Sequence, residues 1–369
     1  MAVVRAGGEE QEGRMPERVL VTGACGLVGS ATVARLCKDG IPVVATDLDT
    51  AANRRAAKRF GDAITQWCDL TQRSHVQRLL AAVRPAAIIH LAAVIPPFCY
   101  IQPATAYRVN VEATALLVQE ASALTAPPRF VQASSVSVYG PRNPHIESEA
   151  LTSNTRPAPF DVYGAQKVAA EGVVRQSNLD WVILRLGGVM GPLLRHTKPD
   201  LAAMEGMLPS DGRIHMVDVR DAARAFVNAV TKPIAHVRGK TLVIVGDSSY
   251  QLLQEQIAPS IMAALGLVGV MPQGRKGDPN STTAWFTTDW ADPDEAQRIL
   301  QFQHTTWPDL LTERADRARW LQPLGRTASP VARQVLRSRA PYRGQPGAFA
   351  DPWHMISQRW GSPLAQTTR

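Results

Sequence analysis

The chain has 369 residues, of which 45% are hydrophobic and 20% charged, a composition typical of a folded globular protein. Its apolar runs are too short for a membrane-spanning helix, and its N-terminus lacks the apolar core of a secretory signal, so we expect a cytosolic protein. The net charge of +8 lies mainly in the segment from Glu313 to the end, where ten arginines and no lysine face three acids. This distribution indicates a basic extension, solvated or packed, and we expect no nucleic-acid partner. The eight histidines and four cysteines follow no metal-ligand spacing, so we expect neither a metal nor a disulfide framework.

The first predicted elements are a strand, a glycine-rich turn and a helix. Residues 1–16 are rich in Gly and Glu and are predicted to form a disordered tail. A short apolar strand at 19–21 leads into three glycines, Gly23, Gly26 and Gly29, and then into a helical pattern. This order is the context of a dinucleotide-binding loop, although an ordinary strand-to-helix turn is the alternative. In such a loop the glycines let the backbone approach a pyrophosphate at the helix N-terminus, and an acid about 20 residues later holds the ribose. Asp47, at the end of the next predicted strand, has that position.

Strand and helix patterns then alternate up to residue 186. Strands are predicted at 42–47, 63–67, 86–91, 129–134 and 181–186, and helices at 74–83, 103–124 and 162–176. Repeated units of this kind form a doubly wound parallel sheet with helices on both faces, the Rossmann-type α/β fold. We therefore predict a dinucleotide-binding Rossmann domain over residues 17–191.

The pattern is looser after residue 191. Residues 192–213 are predicted to be rich in loops, whereas a helix at 218–230 and a strand at 241–245 place a return segment, 214–246, in the first domain. Residues 192–213 and 247–325, with helices at 292–300 and 306–320, are predicted to form a smaller C-terminal substrate lobe, because ligands of open α/β sheets bind beyond the carboxyl ends of the strands. Residues 326–369 contain Pro and Gly breaks and are predicted to be a basic, irregular extension with one short helix at 331–339.

Two segments carry residues with catalytic chemistry. Ser134 and Ser135 stand at the predicted end of a sheet strand, and Tyr163 and Lys167 stand at the start of a predicted helix. Because positions i and i+4 share a helix face, the lysine ammonium is expected to lower the pKa of the tyrosine phenol. An activated tyrosine can take a proton from an alcohol or give one to a carbonyl, and a serine hydroxyl can hold the same oxygen.

These motifs together resemble the extended short-chain dehydrogenase/reductase family, which includes the NAD-dependent epimerase/dehydratase group and the 3β-hydroxysteroid dehydrogenases. The resemblance rests on Thr-Gly-x-x-Gly-x-x-Gly from Thr22 and on Tyr-x-x-x-Lys from Tyr163, with the serine upstream. Further similar segments are Asp69-Leu70, His90 to Ala93, Asn110-Val111 with Thr114, Arg185 to Pro192, Val219 to Ala225, and Asp292 to Phe302. Ala113 stands where the family has Gly, and the similarity covers about residues 17 to 310.

The resemblance implies an NAD site beside a proton-transfer site. It implies that Ser135 is the catalytic serine, that Lys167 also bonds the nicotinamide ribose, and that Asn110 positions the lysine through water or backbone contacts. Ser134 is then structural or contacts the cofactor. The implied cofactor-binding residues, in chain order, are Thr22, Gly23, Cys25, Gly26, Leu27, Val28, Gly29, Asp47, Asp69, Leu70, Leu91, Ala92, Ala93, Asn110, Ala133, Tyr163 and Lys167.

Departures from the family pattern narrow the expected reaction. Val136 and Ser137 stand where the sugar-nucleotide dehydratases have an Asp-Glu pair, so elimination lacks its acid and base. Gly188 stands where many nucleotide-sugar epimerases have a diphosphate-binding Asn, and Asp218 replaces a family His. The apolar segment 94–101 suits a substrate with a hydrophobic body or, equally, packing between the lobes. We therefore expect hydride transfer between NAD and a secondary alcohol or ketone, with sugar epimerisation through a transient ketone as the alternative and a non-catalytic NAD sensor or scaffold as the third.

Two further expectations concern the cofactor and the assembly. NAD is expected rather than NADP because Asp47 and Asp49 would repel a 2′-phosphate, whereas Arg54 and Arg55 would favour one. The helices predicted at 103–124 and 162–176 resemble those that pair in family dimers, and this resemblance implies a homodimer.

Overall fold

The computed structural model describes residues 17–191 and 199–364. The predicted tail at 1–16 and the first part of the predicted substrate lobe, 192–198, lie outside these residues. The strands are β1 (Val19–Thr22), β2 (Val43–Asp47), β3 (Ile64–Trp67), β4 (Ala87–His90), β5 (Arg129–Ser135), β6 (Trp181–Leu186), β7 (Gly188–Met190), β8 (Arg213–Asp218), β9 (Lys240–Ile244) and β10 (Gln251–Leu253).

The helices lie between these strands and after them. They are α1 (Leu27–Lys38), α2 (Ala51–Ala57), α3 (Arg73–Val83), α4 (Phe98–Ile101), α5 (Pro103–Tyr107), α6 (Ala113–Ser122), α7 (Val162–Arg175), α8 (Pro199–Glu205), α9 (Val219–Thr231), α10 (Ile234–Val237), α11 (Gln254–Ala264), α12 (Asp294–Leu300), α13 (Trp307–Arg317), α14 (Gln322–Ser338) and α15 (Pro352–Trp360). A π-helical turn, Arg108–Glu112, joins α5 to α6, and a 3₁₀ turn, Val136–Tyr139, follows β5. No helix among the described residues is long and apolar enough to cross a bilayer.

Seven parallel strands form the main sheet, in the order β3-β2-β1-β4-β5-β6-β9. Thr22 pairs with Thr46 on one side and with His90 on the other, so the carboxyl ends of β1, β2 and β4 meet at one edge. This is the edge at which open α/β sheets bind ligands. The predicted Rossmann-type doubly wound sheet is confirmed.

Alternating side chains of the buried strands supply the cores on the two faces of the sheet. Val19 and Val21 pack on one face with residues of α1 and α9, and Leu20 between them packs on the other face with residues of α3, α6 and α7. In β4, Ile89 packs on the same face as Val19 and Val21, and Ile88 packs on the same face as Leu20. Both faces are therefore covered, as the continuous apolar strands require.

The segment 214–246 is not wholly a return to the main sheet. β9 does pair with β6, but β8 lies in a separate three-stranded sheet, parallel to β7 and antiparallel to β10. β8 was not predicted from the sequence. Its buried positions include the polar residues His215 and Asp218, so the alternation of apolar and polar residues that indicates a strand is absent. The ring of His215 lies against the backbone of Ala291, 3.0 Å from its carbonyl oxygen, and this contact replaces the missing apolar partner.

The prediction of an irregular extension after residue 326 is wrong in part: the short helix predicted at 331–339 lies within α14, but the rest of the extension is more regular than expected. α14 runs through Pro330, and α15 follows near the end of the chain. A proline inside a helix removes one backbone donor, and an exposed helix can leave the freed carbonyl to water. Ser329 is the one residue of α14 that is buried.

Candidate active site

The glycine loop between β1 and α1 has a backbone that needs glycine at two positions. Gly23 has a φ of +64°, and a Cβ there would lie 2.6 Å from the backbone nitrogen of Ala92. A Cβ on Gly29 would lie 2.1 Å from the carbonyl oxygen of Gly23. Gly26 is exposed at the N-cap of α1, and no side chain caps that helix. Leu27 and Val28, the first two residues of the helix, are half-buried. The loop therefore fits the phosphate cradle of a dinucleotide.

Asp47 is tied to this loop. One carboxylate oxygen accepts a hydrogen bond from the backbone N–H of Cys25 at 2.9 Å, and the other accepts from the amide of Asn53 at 3.1 Å. Asp49 and Arg54 form an exposed ion pair, so the charge of that arginine is already matched. The acid predicted to hold the ribose thus faces the glycine loop. The backbone N–H of Cys25 donates to this carboxylate and is therefore not available to a phosphate.

Two further predicted cofactor positions follow β3 and β4. One carboxylate oxygen of Asp69 accepts from the backbone and the hydroxyl of Thr71, while Leu70 is buried beside it. Leu91, Ala92 and Ala93 are half-buried after β4. The backbone N–H groups of Leu91 and Ala92 point to the Thr22 hydroxyl, at 3.2 and 3.4 Å.

Thr22 links β1 to β4. Its hydroxyl lies 2.7 Å from Nδ1 of His90, and Nε2 of that ring lies 3.0 Å from the Thr114 hydroxyl. Burial, with the charge of Lys167, lowers the pKa of His90 to about 3, so the ring is neutral and bridges two hydroxyl groups. Thr22 is fully buried, and these contacts join the end of β1 to β4 beneath the glycine loop.

The helix α7, which carries Tyr163 and Lys167, begins at a capped N-terminus. The buried carboxylate of Asp161 accepts a hydrogen bond from the backbone N–H of Gly164 at 2.9 Å. A Cβ on Gly164 would lie 2.4 Å from the carbonyl oxygen of Ser137, so glycine lets the helix approach the 3₁₀ turn after β5. This close approach places Tyr163 beside the end of the strand that carries Ser135.

Ser135 and Tyr163 are neighbours in the folded chain. Burial raises the pKa of the Tyr163 phenol, and interaction with the Ser135 side chain opposes that rise. The Ser135 hydroxyl donates to the hydroxyl of Ser137 at 3.2 Å, and its oxygen accepts from the backbone N–H of Ser137 at 3.2 Å. Ser134 points away and donates to Glu171 at 2.6 Å, so its contact is structural.

Lys167 lies one helical turn after Tyr163. Its ammonium donates to the carbonyl oxygen of Ala133 at 3.0 Å and lies 5.7 Å from the centre of the tyrosine ring. Burial lowers the pKa of Lys167 to about 8, and Glu171 opposes that shift. The expected net lowering of the tyrosine pKa is not found: burial raises the pKa of Tyr163 well above 10, and Cys99 and Asp161 add to the rise.

Asn110 lies in the π-helical turn and joins two segments. Its side chain accepts from the backbone N–H of Val94 at 2.7 Å and donates to the carbonyl of Val94 at 2.9 Å and to Gln166 at 2.7 Å. Gln166 precedes Lys167 in α7. Asn110 thus contacts α7 through Gln166, and its role in positioning Lys167 stays a prediction.

Three buried residues near the site, Glu171, Tyr100 and Asp161, were missed in the sequence. Glu171 is bonded twice by the guanidinium of Arg185, and the Tyr100 hydroxyl donates to Asp161 at 2.5 Å. Glu171 stands eight residues after Tyr163, on the face that also carries Lys167, and this spacing was a usable signal. Tyr100 gave no such signal, since its partner is distant in sequence.

The C-terminal segment packs against the catalytic tyrosine. One buried cluster contains Tyr163 and residues of α4, of α8 and the turn after it, and of α15, namely Cys99, Tyr100, Met204, Met207, Trp353, Met355 and Ile356. The Trp353 ring stacks on Phe286 at 5.1 Å and lies 5.3 Å from Phe160. The backbone N–H of Val162 donates to the carbonyl of Pro363 at 2.8 Å. The end of the chain thus forms an aromatic wall at the start of the catalytic helix.

Solved structures share this architecture. The UDP-glucose 4-epimerase of Thermus thermophilus, solved with NAD, has a TM-score of 0.68 and 20% identity, covering 82% of this chain and 99% of that one. The UDP-glucuronic acid 4-epimerase of Bacillus cereus, solved with UDP-glucuronic acid and NAD, has a TM-score of 0.63, 21% identity and the same coverages. At these identities the likeness concerns the fold alone.

Sequence comparison identifies the family. Methionine adenosyltransferase 2 subunit beta of Pongo abelii is 31% identical over 179 residues, 48% of each chain. UDP-glucose 4-epimerase of Azospirillum brasilense is 32% identical over 180 residues, 47% of this chain and 49% of that one, so the chain spans about half the length of these relatives. The model of the NAD dependent epimerase/dehydratase family matches residues 19–245, more than half of the chain. The chain belongs to the NAD dependent epimerase/dehydratase family.

Proposed function

We propose that the protein is an NAD-dependent oxidoreductase that transfers hydride between the nicotinamide and the carbon of a secondary alcohol or ketone. The observation that carries this proposal is the meeting of three side chains at the carboxyl end of β5. Tyr163 lies beside Ser135, and Lys167 lies 5.7 Å from the centre of the tyrosine ring. The backbone of the glycine loop, where a dinucleotide fits, lies at the same edge of the sheet.

Each side chain has a role that its contacts allow. The glycine loop and Asp47 would hold the dinucleotide, which supplies the hydride acceptor when it is bound. Tyr163 takes the hydroxyl proton of the alcohol as the carbon–oxygen bond becomes a carbonyl, and Ser135 holds that oxygen. Lys167, charged below a pKa of about 8, would stabilise the phenolate against the effect of burial and would bond the nicotinamide ribose.

The surroundings of Tyr163 support a substrate with an apolar body. Trp353 belongs to the buried cluster that contains Tyr163, and Phe286 packs against this cluster. Cys99 and Tyr100 of the segment 94–101 are fully packed, so this part of the segment builds the wall instead of contacting a ligand. Ile95 and Ile101, by contrast, are about half exposed, at 49% and 43%.

Epimerisation through a transient ketone is the second candidate. It is supported by the named UDP-glucose 4-epimerases among the relatives and by the shared first half-reaction, in which the alcohol loses a proton and a hydride. The same three side chains would serve both reactions, so product analysis must separate them.

The test is to incubate the protein and NAD with a panel of alcohols, steroids and nucleotide sugars and to follow NADH absorbance and product identity. Steady NADH production is expected for a dehydrogenase, and an isomer without net NADH indicates an epimerase. Tyr163→Phe should abolish turnover while NAD still binds. Tyr107→Phe, at a half-exposed tyrosine of α5, is the control and should leave turnover unchanged. Full activity in Tyr163→Phe would refute the proposed mechanism.

A non-catalytic role is the third candidate, suggested by the relative named as a subunit of methionine adenosyltransferase. Tyr163 and Lys167 are both present, and a protein that only senses or binds NAD does not need them. Absence of product and of NADH with every compound, together with tight NAD binding, would favour this role over both reactions.

Cofactor choice is a separate prediction. The carboxylate of Asp47 faces the loop, and Arg54 is already paired with Asp49, so a 2′-phosphate would meet unmatched negative charge. NADP should therefore bind at least about tenfold more weakly than NAD in a fluorescence titration. Equal affinities would remove the role assigned to Asp47.

We further propose a cytosolic homodimer that pairs through the region of α5 to α6 and through α7. A mass of two chains by light scattering would support the dimer, and a one-chain mass would contradict it.

A further inference from the structure

Arg314 occupies a position where its helix should carry an apolar side chain. The buried face of α13 consists of Trp307, Leu310 and Arg314, spaced three and four residues apart as in an ordinary amphipathic helix. Only 4% of the arginine is exposed. Burial of a guanidinium group costs several kcal/mol unless acceptors or charges compensate it.

The hydrogen bonds of Arg314 are incomplete. Nη2 donates to the carbonyl oxygen of Gly191. Nε and Nη1 are both buried, and neither has an acceptor within residues 17–191 and 199–364. Because buried polar atoms in folded proteins nearly always have a partner, these two donors point to an acceptor that the described protein atoms do not supply.

The two acids that act on Arg314 do not neutralise it. Both oxygens of Asp218 are occupied by Arg220, at 2.9 and 2.8 Å. Burial raises the pKa of Glu205 to about 7, and Arg314 opposes that shift without reaching ion-pair distance. Near neutral pH a large part of the Glu205 population is therefore uncharged, and positive charge remains available at Arg314.

The position of Arg314 connects the cofactor loop with the substrate lobe. Its partner Gly191 lies against Leu27, the first residue of α1, since a Cβ on that glycine would be 3.6 Å from the leucine side chain. Glu205 ends α8, whose Met204 belongs to the cluster around Tyr163. Arg314 thus bonds a residue that lies beside the uncapped N-terminus of α1, and one of the acids that act on it ends a helix of the cluster around Tyr163.

We propose that Arg314 is the cation of an anion-binding subsite that accepts a phosphate or carboxylate oxygen of a bound ligand. The guanidinium group suits such oxygens because its donors form a planar fork. The anion comes either from the pyrophosphate of the dinucleotide or from the second substrate. This inference goes beyond the hydride-transfer proposal, and binding measurements test it without turnover.

The experiment compares Arg314→Met with the wild type in the full-length protein. Inorganic phosphate should raise the melting temperature of the wild type in a concentration-dependent way and should have no such effect on the variant. Arg317→Met is the matched control, because Arg317 lies on the same helix, is exposed and pairs with Glu313. It should respond to phosphate like the wild type.

A second arm identifies the source of the anion. If the pyrophosphate is the ligand, NAD affinity should fall about tenfold or more in Arg314→Met, since hydrogen bonds to charged groups are strong. If NAD affinity is unchanged while the phosphate response is lost, the subsite serves the second substrate. Arg314→Lys should retain part of the response, and it replaces the methionine variant if that variant fails to fold. Equal responses to phosphate and NAD in the wild type and the variants, or a wild type that phosphate does not stabilise, would overturn the proposal.

Discussion

Two buried arginines in different regions of the molecule have opposite surroundings. Arg185, in β6 behind the catalytic helix, donates to both oxygens of Glu171 at 2.9 and 2.8 Å and to the hydroxyl of Tyr139 at 2.9 Å. Arg314, in the C-terminal lobe, donates to a single carbonyl oxygen among the described residues, that of Gly191. The first arginine is saturated and holds the fold together. The second has spare donors, which is the condition expected at a ligand site.

The saturated region seats the catalytic helix on the sheet. Glu171 of α7 accepts from Ser134 of β5, from Arg185 of β6 and from Arg175 of its own helix. Interactions with these groups outweigh burial and hold the pKa of Glu171 below its usual value. Tyr163 and Lys167 lie on the same helix, so their positions depend on this buried network.

Breaking that network should produce the largest effect on stability. Glu171→Gln removes the only negative charge bonded to the buried Arg185 in the described structure, and we expect a loss of about 3–5 kcal/mol in the free energy of unfolding. Urea denaturation followed by circular dichroism measures this loss. Glu313→Gln, in a partly exposed pair with Arg317, should cost at most about 1 kcal/mol. Similar costs for the two variants would mean that the buried network does not carry the stability assigned to it.

A third buried charged group, the Asp161 carboxylate, lies at the start of α7 and affects the pKa of the Tyr163 phenol. Burial raises the pKa of Asp161 to about 6, and the Tyr100 hydroxyl opposes that shift. Above pH 6 the carboxylate is mostly charged and, together with burial and Cys99, raises the pKa of the Tyr163 phenol.

Asp161→Asn should shift the pH profile of alcohol oxidation to lower pH. Asparagine is also a good N-cap, so the helix start is preserved while the negative charge is lost. Without that charge the phenolate is easier to form, so the ascending limb of the profile, over which Tyr163 loses its proton, should move down by about one pH unit. The initial rate as a function of pH measures this shift. If the variant folds normally and its pH profile does not shift, the Asp161 charge does not control the proton transfer to Tyr163.

The smallest effect on stability is expected at Arg314. Arg314→Met keeps an unbranched apolar side chain and removes a buried charge with unsatisfied donors, so the free energy of unfolding should stay the same or rise. Urea denaturation without phosphate measures it beside Glu171→Gln. A loss as large as that of Glu171→Gln would mean that Arg314 is a structural residue, and the contrast between the two arginines would disappear.

The first half of the fold could be predicted from the sequence because its elements are local. Apolar strands such as Ile88 and Ile89 are buried on both faces, and Gly23 and Gly29 mark a turn whose geometry excludes a Cβ. Tyr163 and Lys167 share a helix face at a fixed spacing. These signals lie within a few residues of one another and need no knowledge of distant partners.

The second half depends on contacts between distant residues. The guanidinium of Arg275 donates to backbone carbonyls of the segment from Tyr342 to Phe349, and the Tyr342 hydroxyl donates to the carbonyl of Met207 at 2.6 Å. Such contacts hold α15 beside Tyr163, whereas the proline and glycine breaks in the sequence indicated an irregular end. The incomplete bonding of Arg314 also became visible only in the folded chain.

The central claim is that a substrate hydroxyl transfers its proton to Tyr163 as the carbon releases hydride to NAD. The most direct measurement is a single-turnover reaction, in which protein loaded with NAD is mixed with each compound of the panel and NADH absorbance is followed in a stopped-flow instrument. The wild type should form NADH, transiently for an epimerase and lastingly for a dehydrogenase, and Tyr163→Phe should form none although it binds NAD. Equal NADH formation in Tyr163→Phe, or no NADH with any compound in the wild type, would contradict the claim.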